Sequence, residues 1–309
     1  MKRVLFLFIS VLFVSFISCK KEVKSDEWED TLTSGLIRIA CDENLKALME
    51  AEIEVFEAHN PRATVIPIYT NEAEAIRLLT IDSVRFALVT RHLNSKEQAE
   101  LAKKNMKAQK HLIAFDGIAL IAHPSNQDSA LTLADLKKIL SGEIIRWTQI
   151  NPKSTLDTIR VIFDHPESGI LRYMMDSIMG GNTFSPNLYA LNNSLEALET
   201  VSQRANALGL IGVNVLSDES DSIYRAGREK IRLVRLNNHL PYAGDIKQEN
   251  YPLWRPVYVL LSDPKSGLAS GLSIFLAHEA GQKIVLKSGL LPITDPQNIS
   301  VYIKDEYPE

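Results

Sequence analysis

What this sequence has little of narrows it first. Only two cysteines, Cys19 and Cys41, occur in 309 residues. A disulfide framework is thereby excluded, and if Cys19 is consumed by modification no intramolecular bridge remains, so the core must stand on packing. No His-Glu-x-x-His pattern or comparable metal-ligand spacing is present, which leaves no basis for a metal or other cofactor. Neither sign of charge is in large excess: 34 Lys and Arg face 38 Asp and Glu, for a net −4. With no basic block and no Lys/Arg stripe interleaved with aromatics, nucleic acid drops out as a partner. Short-period repeats and low-complexity segments are absent too. The apolar run from Val4 to Ile17 is shorter than the roughly 20 residues that span a bilayer.

That run is informative nonetheless. Lys2-Arg3 precedes it and Ser18-Cys19-Lys20-Lys21 comes after it, the layout of a secretory leader over residues 1–19. A cysteine after a small residue at the cleavage point resembles the lipobox of bacterial lipoproteins, with Phe16 where leucine is usual. The resemblance implies a lipid anchor on Cys19; an uncleaved anchor helix is the other reading. Either one puts the remainder in the cell envelope, on the periplasmic or extracellular side. Residues 20–33 are charged and aperiodic, as suits a tether. The chain beyond the tether has room for two domains of ordinary size, and 45% hydrophobic residues can fill their cores.

From Leu36 the pattern alternates. Strands are predicted at 36–41, 65–69, 86–90 and 111–115. Between them fall a helix over 44–59, one opened by the capping-box spacing Asn71-Glu72-Ala73-Glu74, and one opened by Ser95-Lys96-Glu97-Gln98. Asp116-Gly117 reads as a bend, after which the apolar run resumes over 118–122 and crosses into a second lobe. There Thr132 caps a helix that stops at Ser141-Gly142, a strand covers 159–163, and Gly180-Gly181 ends the helix after it. Asn193 caps another helix, with further strands at 210–213 and 231–236. The run 255–261 crosses back, and helices at 269–278 and 281–287 finish the body. Buried strands alternating with helices predict an α/β fold of two doubly wound, mostly parallel lobes with a hinge and an inter-lobe cleft. Residues 34–116 plus 257–309 form lobe 1 in this reading, and 117–256 form lobe 2.

A cleft between such lobes is lined by the carboxyl ends of strands and the starts of helices. From lobe 1 the turns facing it are Asp42-Glu43-Asn44 and Thr90-Arg91; from lobe 2 they are Asp164 and Glu167-Ser168-Gly169. The last turn carries the chemistry. Glu167 or Ser168 sits at a helix N-cap and Gly169 lets backbone approach a ligand, so free N–H groups at a positive dipole end could hold an anion. An ordinary capped helix with nothing bound is the plainer reading. Arg91 either neutralises an anion or pairs with an acid at its strand end. Asp42 and Glu43 either oppose an anion or point away and favour the start of the first helix. Arg172 reads as solvated, and Trp147, Tyr251 and Trp254 as core or hinge packing.

Taken together, Thr90-Arg91-His92-Leu93-Asn94 with Glu97, Phe115-Asp116-Gly117-Ile118-Ala119, LTLADLKKILSGEIIRW (131–147), Ile211-Gly212-Val213, YPLWRPVYV (251–259) and GQKIVLKSGLLP (281–292) resemble the phosphate-binding proteins of phosphate ABC transporters. The resemblance runs from about residue 36 to 292 and implies a type II periplasmic binding protein-like fold. It further implies that phosphate is held dehydrated between the lobes by hydroxyls, backbone N–H groups, an arginine and an acid. Ser168-Gly169 matches part of the family's Ser-Gly-Thr turn, but Ile170 replaces the threonine. Asp164 stands where the family's arginine is expected, and Arg91 falls where members carry either aspartate or arginine. The two sides are thus exchanged: Arg91 would neutralise the anion and Asp164 accept its proton.

The function expected from this is a lipid-anchored, monomeric solute-binding protein. It would capture phosphate or a related oxyanion, pass it to an ABC transporter permease, and perform no chemistry. The competing reading is a degenerate scaffold that acts as a sensor or surface interaction module. An enzyme is not expected, because Asp164, His165 and Ser168 on one turn do not make a base-to-nucleophile line.

Overall fold

The computed structural model describes residues 29–128, 130–217 and 222–294; Cys19, the leader and most of the tether lie outside the described residues. No helix among the described residues is long and apolar enough to cross a membrane. The strands are β1 (Ser34–Asp42), β2 (Arg62–Thr70), β3 (Phe86–Val89), β4 (Gln109–Ala122), β5 (Ala130–Leu131), β6 (Arg160–Phe163), β7 (Leu188–Ala190), β8 (Ala207–Gly212), β9 (Arg232–Leu236), β10 (Trp254–Leu261) and β11 (Leu291–Pro292). The helices are α1 (Lys46–His59), α2 (Glu72–Thr80), α3 (Ser95–Lys103), α4 (Leu133–Ser141), α5 (Gly169–Tyr173), α6 (Ser194–Gln203), α7 (Val213–Ser217), α8 (Ser222–Arg228), α9 (Ala243–Lys247), α10 (Leu268–Ala277) and α11 (Glu279–Lys287).

Two lobes share one curled sheet. In the first, β2, β1 and β3 run parallel, and β10 and β4 continue the sheet antiparallel. In the second, β7, β6 and β8 run parallel, with β4 antiparallel beside β8. Both faces of the first sheet are covered, which is why its strands are near-continuous apolar runs. Ile39 and Cys41 of β1 pack with Leu48, Phe56, Leu272 and Val285 on one side. Ala40, between them, packs with Ile76, Leu79 and Leu101 on the other. The second lobe repeats this, with Trp147, Phe163 and Tyr251 in one core and Ala197, Leu198 and Ile211 in the other.

Some details differ from the sequence reading. Asp116-Gly117 makes no bend that ends a strand: β4 is continuous over 14 residues and serves both lobes. Gly117 is there for close packing, since a Cβ on it would lie 2.9 Å from Ile246 and 3.0 Å from Val213. The capping box of α3 starts at Asn94 rather than Ser95, with Glu97 returning to the Asn94 N–H. The sheet also contains more antiparallel pairing than expected, because both crossing strands run against their neighbours.

Candidate functional site

Parallel winding brings the carboxyl ends of β1, β3 and β6 to the crevice between the lobes, and with them Asp42, Thr90 and Asp164. Asp42 accepts the Asn44 N–H at 3.1 Å and so caps the short 3-10 turn Glu43–Leu45. The Asn44 side chain then joins three groups. Its Nδ2 donates to Asp42 Oδ1 at 3.2 Å and to Asp164 Oδ2 at 2.7 Å, and its Oδ1 accepts from Ser194 Oγ at 2.8 Å. Asp164 and Ser194 belong to the second lobe, so this one amide ties the lobes together. Asp42 Oδ2 and Asp164 Oδ1 have no hydrogen-bond donor among the described residues.

A second cluster centres on Glu72, the first residue of α2 after the Asn71 cap. Its Oε1 accepts from the Thr90 N–H at 2.8 Å and from the Thr90 hydroxyl; its Oε2 accepts from Arg172 Nε at 2.7 Å. Arg91 Nε stands 3.6 Å from that same oxygen. Burial alone would raise the Glu72 pKa, but Arg172, Thr90 and Arg255 outweigh it and hold the carboxyl below its usual range. Arg172 reaches this point from α5, whose N-cap is Ser168 with its Oγ accepting from the Leu171 N–H at 3.1 Å. Gly169 is next in the chain. A Cβ there would sit 2.7 Å from both Arg255 Nη1 and Thr90 Oγ1 and 3.0 Å from Glu72 Oε1, so only glycine lets α5 come this close.

The third element is a pair at the crossing. Arg255 of β10 lies opposite Asp116 of β4, and its Nε and Nη2 both donate to Asp116 Oδ2 at 3.0 Å. Both side chains are fully buried. Burial pulls the guanidinium down, but Asp116, Asp42 and Glu72 together more than offset that, so Arg255 stays charged.

Of the residues singled out from sequence, Asp42, Asn44, Thr90, Asp164, Ser168 and Gly169 are buried around this crevice. Asp42 does not point away. It is fully buried, and burial, with Glu72 and Asp164 adding to it against Arg255 and Asn44, pushes its carboxyl up to about 7. Glu43 is only partly covered, and burial and the Asp164 charge push it to about 7 as well. Glu167 is exposed: Ser168 takes the cap, which turns the preceding side chain outward. Arg91 makes a two-point pair with Glu97, at 2.7 and 2.8 Å, so the strand-end reading describes it better than an anion partner. Arg172 is not simply solvated; it bridges the lobes. Glu72, Asp116, Ser194 and Arg255 were missed. Arg255, a charge opening an apolar strand, was the one legible signal among them.

Every arginine here therefore meets an acid of the chain: Arg91 with Glu97, Arg172 with Glu72, Arg255 with Asp116. Ser168 Oγ is used as a cap and His165 Nδ1 accepts the Glu167 N–H, so neither is set up as nucleophile and base. Among the described residues no group of three His, Cys, Asp or Glu side chains is placed to hold a metal. What the arrangement offers chemically is a set of donors from both lobes gathered on one buried carboxylate, a polarity suited to an anion.

A family model described as PBP superfamily domain matches residues 27–279. A phosphate-binding protein PstS of Staphylococcus saprophyticus is 22% identical over 235 residues, covering 74% of this chain and 70% of its own length. The PstS of Bacillus subtilis is 22% identical over 309 residues, with 95% of each chain covered. Among solved structures, a putative phosphate ABC transporter substrate-binding protein from Clostridium perfringens with bound phosphate superposes with a TM-score of 0.71 at 21% identity, covering 84% of this chain and all of that one.

Proposed function

We propose that this chain, which belongs to the PBP superfamily, is an extracytoplasmic solute-binding protein that captures phosphate or a related oxyanion between its lobes and delivers it to an ABC transporter permease. The observation that carries this is the convergence of donors from both lobes on one buried anionic spot. The Thr90 N–H and hydroxyl, Arg172, and Arg255 against Gly169 surround the Glu72 carboxylate. Donors that satisfy a carboxylate have the polarity an oxyanion needs. Micromolar affinity takes about 8 kcal/mol. Four or five charge-assisted hydrogen bonds at roughly 1.5–3 kcal/mol each, less the cost of closure, would supply it. The names of the relatives put phosphate first among the candidates.

The moving parts in this reading are lobe 1, residues 34–116 with 257–309, and lobe 2, residues 117–256. They turn about Asp116-Gly117 and Arg255-Pro256. The protein acts as a monomer and is held to the membrane by a lipid on Cys19 through the tether 20–33. Calorimetric titration with phosphate, sulfate, arsenate and molybdate tests the binding. Micromolar phosphate binding that survives excess sulfate is expected, whereas no heat with any of the four would leave the sensor or interaction module in its place. For the anchor, Cys19→Ser should move the protein from the membrane fraction to the soluble one.

A further inference from the structure

We propose that Glu72 is the chain's own occupant of the oxyanion cradle, an internal competitor that decides how strong an anion must be to bind. The inference rests on the oxyanion reading above and adds its selectivity. Glu72 takes the donors a solute would need: the Thr90 N–H at 2.8 Å, the Thr90 hydroxyl, and Arg172 Nε at 2.7 Å, with Arg91 Nε at 3.6 Å. Its carboxylate is 2% exposed although it stands at the first position of a helix, where a side chain is free to lie in water. The position is also where a carboxylate favours the helix dipole. A purely local role of that kind, however, requires no partner 100 residues away in the other lobe. The turn at Gly169 completes the enclosure, since the place a side chain would take there faces Arg255, Thr90 and Glu72 Oε1.

Since the competitor is part of the chain, its effective concentration is on the order of millimolar or more, and it dilutes the binding-competent population by a fixed factor. Selectivity comes from counting acceptors. A monocarboxylate or halide offers Thr90 and Arg172 no more than Glu72 already does. A tetrahedral dianion can engage Thr90, Arg172 and Arg255 at once, and so can displace it as the lobes part and close again. The internal acid thus discriminates against weak monoanions without contacting them.

The test is calorimetry on the parent protein and on Glu72→Gln and Glu72→Asp, with inorganic phosphate and acetate as probes. Glutamine keeps an acceptor for the Thr90 N–H but gives up the charge on Arg172; aspartate keeps the charge but falls short of that arginine. Phosphate should bind Glu72→Gln at least tenfold more tightly than the parent, with acetate binding becoming measurable, and Glu72→Asp should fall between. If Glu72→Gln fails to fold, a rise of threefold or more in Glu72→Asp decides for the proposal and no rise decides against it. A parent that binds phosphate while Glu72→Gln binds no more tightly overturns the proposal and leaves the oxyanion function standing. If neither the parent nor a folded variant binds any oxyanion, both readings fall together.

Discussion

Glu52 should make this protein less stable as pH rises, and replacing it should remove that dependence. The residue lies on the buried stripe of α1 with Leu48, Met49, Ile53 and Phe56, is itself fully buried, and neither carboxylate oxygen has a donor among the described residues. Burial alone pushes its carboxyl from 4.5 up to about 9. The sign is set by proton counts: between those two values the folded state holds a proton that the unfolded state has released, so stability falls as pH rises through the window, tenfold in the unfolding constant per unit. At pH 7 the cost is about 3 kcal/mol, at pH 5 under about 1, and at pH 8 about 5. Methionine matches glutamate in length and has nothing to ionise. Glu52→Met should therefore be more stable than the parent by about 3 kcal/mol at pH 7, with a gap that widens from pH 5 to pH 8. Urea unfolding at the three pH values measures this, and a gap of constant size would refute the argument. Taking the difference from the parent cancels the similar contributions of Asp42 and Glu43.

Three further outcomes are expected at the crevice. Gly169→Ala should weaken phosphate binding at least tenfold, because the new methyl meets Arg255 and Thr90 at 2.7 Å; unchanged affinity in calorimetry would mean α5 does not close on these groups. Arg172→Ala should lose at least tenfold in phosphate affinity while Arg91→Ala, already clamped by Glu97, changes it by less than about threefold; the reverse order would restore Arg91 as the anion partner. Asp42, neutral below about pH 7 and charged above, adds a negative charge near the anion as it ionises. The ratio of the phosphate Kd of the parent to that of Asp42→Asn should therefore climb several-fold from pH 6 to pH 8, a comparison in which the titration of phosphate itself cancels, and a flat ratio would remove Asp42 from the site.

Much of the architecture was legible because strands buried on both faces leave unbroken apolar runs, and helices between them leave caps such as Thr132 and Asn193 that need only a few neighbours. Asp116-Gly117 misled because the pair is a common turn signal, whereas its glycine answers to side chains from Val213 and Ile246 far along the chain. The same division runs through the site. Residues at strand ends, such as Asp42, Thr90 and Asp164, could be placed by winding alone. Glu72 with Arg172 and Asp116 with Arg255 could not, since each partner is 100 or more residues from the other, and a helix-opening acid looks the same whether it faces water or a distant arginine.

The two strands that pass between the lobes are fastened to each other where they cross, by Asp116 and Arg255, side chains that never meet solvent. Pulling that fastening apart would strand a charge in a dry interior, so sliding or separation at this point is closed off and rotation is what is left. In the proposed hinge reading the lobes would then turn like a door about this pin, once the cross-lobe links Asn44 to Asp164 and Arg172 to Glu72 part. Small adjustments beside the pin would become large excursions at the outer rims, and a partner that reads the proposed closure would read it there.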